Sequence, residues 1–130
     1  MDILRGLSSV PDSFAETGTV VTIGVFDGVH RGHQLLISKA VDTARELGVP
    51  CVVMTFDPHP VTIFAPERTP RALMPLDERA RHIAELGVDA LLVIDFREEL
   101  AGLTPAEYMD DVLVSALGAK PVSYTHLTLP

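Results

Sequence analysis

Residues 19–33 read Thr19-Val20-Val21-Thr22-Ile23-Gly24-Val25-Phe26-Asp27-Gly28-Val29-His30-Arg31-Gly32-His33. An apolar run of strand character passes through glycines into the start of a helix. Two histidines, three positions apart, stand at that helix's mouth. A strand that turns through glycine into a helix N-terminus makes a phosphate cradle, because free N–H groups and the helix dipole both favour an anion there. Gly24 and Gly28 predict close approach of the backbone to a phosphate, or positive φ in the turn. Gly32 is expected where a side chain would crowd the helix entrance. His30 and His33 fall on one face of the first turn. There, imidazoles can donate to phosphate oxygens and stabilise the charge that grows as an α-phosphate is substituted. Asp27 reads as an Asx-type hydrogen bond that fixes the loop.

Working outward, Leu35, Leu36, Ala40, Val41, Ala44 and Leu47 recur at helical spacing over Arg31–Leu47, and Gly48 supplies the stop. The first strand spans about Thr19–Val25. A second, Pro50–Phe56, and a third, Ala90–Phe96, are continuous apolar runs, as expected of strands covered on both faces. Asp57-Pro58-His59-Pro60 opens a long loop to Pro75 that holds five of the chain's ten prolines (Pro58, Pro60, Pro66, Pro70, Pro75). Loops of that length inside a domain are usually functional. A second helix, about Leu76–Leu86, ends at Gly87, with Arg79, Arg81 and His82 as its solvated face. Thr104-Pro105-Ala106-Glu107 has Thr at the N-cap, Pro at N1 and Glu at N3, a capping box opening a third helix to about Leu117 and its stop at Gly118. Residues 1–18 read as an irregular lead-in. Three strand–helix alternations predict an α/β fold: an open parallel sheet flanked by helices, with right-handed crossovers. Ligands of such sheets bind beyond the carboxyl ends of the strands. The glycine–histidine turn, Asp57–Pro60 and Asp95-Phe96-Arg97 follow strands one, two and three, so all three segments face one edge.

A chain of 130 residues, 47% hydrophobic and 22% charged, suits one soluble globular domain. Its net charge of −8 argues against nucleic acid or an anionic membrane as partner. An anionic nucleotide is still accommodated, because local backbone donors outweigh the total. The single cysteine, Cys51, excludes an internal disulfide, and its run Cys51-Val52-Val53-Met54 makes it a small buried apolar residue. No charged segment precedes an apolar leader, and no run reaches the ~18 apolar residues of a membrane span, so a cytoplasmic protein is expected. A zinc site would need His59 beside His30 and His33; a glycine-rich backbone is unnecessary for zinc, and no metal ligands are assigned. There is no Walker A sequence and no nucleophile elbow, which favours direct in-line attack over a covalent intermediate.

The segment 24–33 resembles the nucleotidyltransferase signature of the prokaryotic FAD synthetases, the bifunctional riboflavin kinase/FMN adenylyltransferases. Thr55-Phe56-Asp57-Pro58-His59-Pro60 resembles that family's second motif. Leu86-Gly87-Val88-Asp89, the stretch Glu99-Leu100-Ala101-Gly102-Leu103-Thr104-Pro105-Ala106-Glu107-Tyr108, and the lead-in pairs Gly6-Leu7 and Val10-Pro11 also match. The likeness covers about residues 4–121. It implies a Rossmann-like nucleotidyltransferase fold in which the FMN phosphate attacks the α-phosphate of ATP, giving FAD and pyrophosphate with Mg²⁺ assisting. It further implies that His30 and His33 are the catalytic contacts to the ATP phosphates. Gly24, Val25, Phe26, Asp27 and Gly28 would complete the ATP-binding turn, and Asp57 and His59 would line the phosphate and flavin side. The family continues after Lys120-Pro121 with a strand, a Gly-x-Asn/Asp-Phe-x-Phe-Gly segment, a Ser-Ser/Thr-x-Ile-Arg motif and a riboflavin kinase domain. Residues 122–130, Val122-Ser123-Tyr124-Thr125-His126-Leu127-Thr128-Leu129-Pro130, share none of this and read as a translated sequencing adapter, an artefactual tail. Residues 1–121 are then an incomplete adenylyltransferase domain lacking the C-terminal part of its sheet, expected to make little or no FAD and to have no kinase activity. The histidine signature alone is shared with cytidylyltransferases and phosphopantetheine adenylyltransferases. Those enzymes stay open as alternatives, as does a non-catalytic nucleotide-binding fragment.

Overall fold

The computed structural model describes residues 1–24, 26, 31–57, 65–68, 74–99, 102, 104, 106–108 and 116–118. Four strands, β1 (Asp2–Arg5), β2 (Val20–Ile23), β3 (Cys51–Phe56) and β4 (Ala90–Ile94), form one parallel sheet in the order β1-β4-β3-β2. Register is set by Val20 opposite Cys51, Val52 opposite Ala90 and Asp2 opposite Ala90. Every residue of β2, β3 and β4 is buried. Alternation sends Val20, Cys51, Val53, Leu91 and Val93 to one face, where they meet Ile37, Ala40, Val41 and Ala44 of helix α2 (Arg31–Leu47) and Ala80 and Ile83 of α3 (Leu76–Glu85). The opposite face carries Val21, Ile23, Val52, Met54, Phe56, Leu92 and Ile94 against Phe96, Tyr108 and Leu117. Each fully buried Leu, Ile or Phe side chain contributes about 1.5–3 kcal/mol, so the doubly covered sheet is the main source of stability. The predicted parallel α/β architecture is what the chain adopts.

The lead-in is more ordered than the sequence suggests. Asp2–Arg5 is a strand, Leu7–Ser9 a 3₁₀ turn and Asp12–Thr17 a short helix, α1. β1 is an edge strand of four residues with only Leu4 packed on the core, and α1 buries no residue, so neither leaves an apolar period to read. The strand ends also differ: Thr19 and Gly24 flank β2, and β4 stops at Ile94 because Asp95 starts α4 (Phe96–Glu99). On α2 the buried stripe runs through Ile37, while Leu35 is 69% exposed and Leu47 faces solvent as well. Of the proline-rich stretch, Pro66–Arg68 forms a 3₁₀ turn. The N-cap bond of the expected capping box is present: Thr104 Oγ1 accepts from the Glu107 N–H at 3.2 Å, and 106–108 are helical. Residues 109–115 of the expected helix and residues 122–130 lie outside the described residues.

Candidate functional site

Because all four strands are parallel, their carboxyl ends share one edge, in the lateral order Gly6, Asp95, Asp57, Gly24. Of the residues assigned to the nucleotide and flavin contacts, Gly24, Phe26, His33 and Asp57 are described. Val25, Asp27, Gly28, His30 and His59 lie outside the described residues. Gly24 is buried and prolongs the ladder, its N–H donating to the Met54 carbonyl at 3.0 Å. The left-handed backbone angle among the described turn residues falls on Phe26 (φ 54), not on a glycine. Such an angle costs a non-glycine residue about 1–2 kcal/mol. Phe26 tolerates it because its ring, 1% exposed, is locked between the sheet and α2. That ring meets the His33 imidazole edge-on, centroids 5.1 Å apart and planes at 87°. His33 is half-buried on the first turn of α2, held against an aromatic wall at the helix N-terminus. The Phe26 side chain is therefore an anchor in the core. Among the described residues, a Cβ added at Gly32 meets nothing within 4 Å.

Asp57 stands at the end of β3 with its N–H donating to the Ile94 carbonyl at 3.1 Å. Its side chain is 42% exposed and faces Arg79 Nη2 at 3.6 Å. Arg79 itself corrects the sequence reading. It is 4% exposed, not part of a solvated face, and its Nη1 donates to Thr55 Oγ1 at 3.1 Å and to the Phe56 carbonyl at 3.2 Å. The signal was available: Leu76, Arg79, Ala80 and Ile83 fall at i, i+3, i+4 and i+7, so Arg79 lies on the helix's apolar stripe. Arg81 is exposed and His82 half-buried.

Between the ends of β1 and β3 lies a cleft of about 380 Å³, lined by Arg5, Gly6, Ser8, Asp57, Val93, Asp95 and Glu99. Asp95 caps α4 by accepting from the Arg97 N–H at 2.9 Å and takes the Arg97 guanidinium as a fork, with Nη2 at 2.8 Å. The hydrogen bond from Arg97 holds its carboxyl below the usual range. Glu99 joins distant parts of the chain, accepting from the Leu7 N–H at 3.2 Å and from the Tyr108 hydroxyl at 3.0 Å. Burial, then Glu99, pushes the Tyr108 hydroxyl well above its ordinary range, so it acts as a neutral donor. Gly6 adopts φ 80, which favours glycine, and an added Cβ would sit 2.5 Å from Glu99 Oε1, so the Glu99 carboxylate would have to shift. β1 and Gly6 were not foreseen as part of this edge. Burial, then the neighbouring Asp89 carboxylate, pushes the Cys51 thiol up to about 12, which makes it a poor nucleophile.

An open parallel sheet, a buried glycine continuing its strand, and a histidine on the first turn of the following helix place the chain in the Rossmann-like class of α/β folds. The family model for FAD synthetase matches residues 13–124, and the chain belongs to that family. Over 120 residues it is 39% identical to the bifunctional riboflavin kinase/FMN adenylyltransferase of Escherichia coli (strain K12), and 41% identical to the protein of the same name from Pseudomonas fluorescens. Both alignments cover 92% of this chain and 38% of the relative. The Bacillus subtilis relative is 38% identical over 97 residues, 74% of this chain and 31% of its own length. A solved structure described as a macrolide-efflux protein from Streptococcus pneumoniae superposes with TM-score 0.65 at 31% identity, covering 92% of this chain and 39% of that one. The chain thus spans about 38% of the length of the first two relatives. Among the described residues, no helix is long and apolar enough to cross a membrane.

Proposed function

We propose that the chain carries the FMN adenylyltransferase step, in which the FMN phosphate attacks the α-phosphate of ATP and displaces pyrophosphate to give FAD. The observation that carries this reading is the placing of the Gly24–Phe26–His33 turn and Asp57 at the ends of adjacent strands, on one edge, inside the FAD synthetase match. His30 and His33 donate to the ATP phosphates and stabilise charge gathering on them in the transition state. Gly24, Val25, Phe26, Asp27 and Gly28 bind the nucleotide through backbone, with the helix N-terminus favouring the anion. Asp57 and His59 face the flavin phosphate. Mg²⁺ suits this edge: it is held by one or two carboxylates together with substrate phosphates, and the half-exposed Asp57 carboxylate is such a donor. When bound, the ion neutralises phosphate charge.

The test incubates the purified chain with FMN, ATP and Mg²⁺ and separates flavins by chromatography. FAD formation supports the whole reading. ATP titrations then separate binding from chemistry: His30→Ala and His33→Ala should each weaken ATP by about tenfold or more, the scale of a lost charge-assisted hydrogen bond. Unchanged ATP affinity in both variants overturns the cradle assignment. Pyrophosphate release from another nucleotide without flavin would favour a different histidine-signature nucleotidyltransferase.

A further inference from the structure

Arg79 occupies a place that local forces disfavour. A cation one turn into a helix opposes the dipole, and burying a guanidinium is unfavourable unless its donors are satisfied. What offsets both is concentrated at one point. Nη1 bonds Thr55 Oγ1 and the Phe56 carbonyl, and Nη2 faces Asp57 Oδ1, so one planar fork holds three consecutive residues where β3 ends. A guanidinium presents donors in fixed directions, which a lysine ammonium cannot reproduce.

We propose that Arg79 is a positioning residue for the flavin side of the site: it fixes the exit of the chain from β3 and so the placement of Asp57. This rests on the reading of Asp57 as a flavin-side residue. In the sequence, Asp57 is followed by Pro58 and Pro60, whose rings restrict φ, so an error at Asp57 is passed on to the following residues. The β2 turn that serves ATP follows a different strand.

The test compares wild type, Arg79→Met and Arg79→Lys as full chains, with two readouts. Hydrogen exchange reports the Asp57 N–H, which donates to Ile94, against amides at the sheet centre such as Leu91. Exchange at Asp57 should quicken at least tenfold in Arg79→Met while Leu91 keeps its protection, and Arg79→Lys should fall between. FMN and ATP affinities are measured alongside, by flavin fluorescence and by titration. FMN should weaken about tenfold in Arg79→Met, and ATP less than twofold. An unchanged Asp57 amide in a folded Arg79→Met chain overturns the proposal, as does equal loss of FMN and ATP. A wild-type chain that binds no FMN, with the exchange pattern as expected, keeps the positioning role and removes the flavin reading. If Arg79→Met does not fold, Arg79→Lys and Asp57→Asn carry the same comparison. Asp57→Asn should weaken FMN, and Arg79→Lys with wild-type exchange and affinity defeats the idea.

Discussion

Phe26 combines a left-handed backbone angle (φ 54) with a ring that is 1% exposed. The two demands predict an inverted order of substitutions. Phe26→Ala loses the buried ring and keeps the strain, so stability should fall by about 3–5 kcal/mol. Phe26→Gly loses the same ring but relieves the backbone, and should be about 1 kcal/mol more stable than the alanine variant. Urea unfolding of both checks this; alanine outranking glycine would mean the turn carries no strain. Cys51 gives a pH dependence. The unfolded thiol ionises near 9.0, whereas the folded one keeps its proton to about 12. Above 9 the unfolded state therefore binds fewer protons than the folded state, and stability declines as pH rises through that window. Denaturation midpoints at about pH 8 and about pH 10.5 should show a drop that Cys51→Ala reduces, because alanine cannot titrate, the raised Tyr108 hydroxyl contributing the remainder. Arg79 was the residue most easily misread. In the run Asp77-Glu78-Arg79-Ala80-Arg81-His82 a charge looks solvated, and only its register with Leu76 and Ile83 betrays the buried face.

At the level of elements, legibility followed burial. β2, β3 and β4 were readable because strands covered on both faces must be apolar throughout, and α2 because its stripe repeats. β1 and α1 were not, since an exposed edge and a helix without buried residues place no constraint on hydrophobic pattern. What makes β1 stay is chemistry just beyond it. Gly6 donates to the Val93 carbonyl at 2.9 Å, and Leu7 donates to Glu99. Gly6→Ala forces a Cβ onto Glu99 Oε1 and a side chain into positive φ. It should lower stability by roughly 1–3 kcal/mol, through strain and the disturbed Leu7–Glu99 bond. Chemical denaturation measures it, and a Gly6→Ala chain as stable as wild type would show that Glu99 yields freely. For the site, sequence order was enough to bring the glycine turn, Asp57 and Asp95 to one edge. It could not supply Gly6, Glu99 or the Arg79 fork, which depend on contacts between segments far apart in the chain.

Taken as a whole, the molecule is a sheet whose first strand in sequence is its last in space. β1 shields the outer edge of β4, and an unshielded strand edge is a template for association. Deleting residues 1–5 should lower the melting temperature by roughly 5–10 °C and produce concentration-dependent association visible by light scattering. A deletion variant that melts unchanged and stays monomeric would remove β1 from the edge-protecting role. The same arrangement orders events during synthesis. The Leu7 N–H and its Glu99 acceptor are 92 residues apart, and the register of β1 is set entirely by β4. A chain emerging from a ribosome can pair β2 with β3 and lay α2 across them while its own N-terminal residues are still without a neighbour. Closure of the sheet waits until residues 90–99 have left the exit tunnel. β1, made before the other three strands, is then the last of the four to be seated, and the edge where Gly6 and Asp57 share a cleft waits for it.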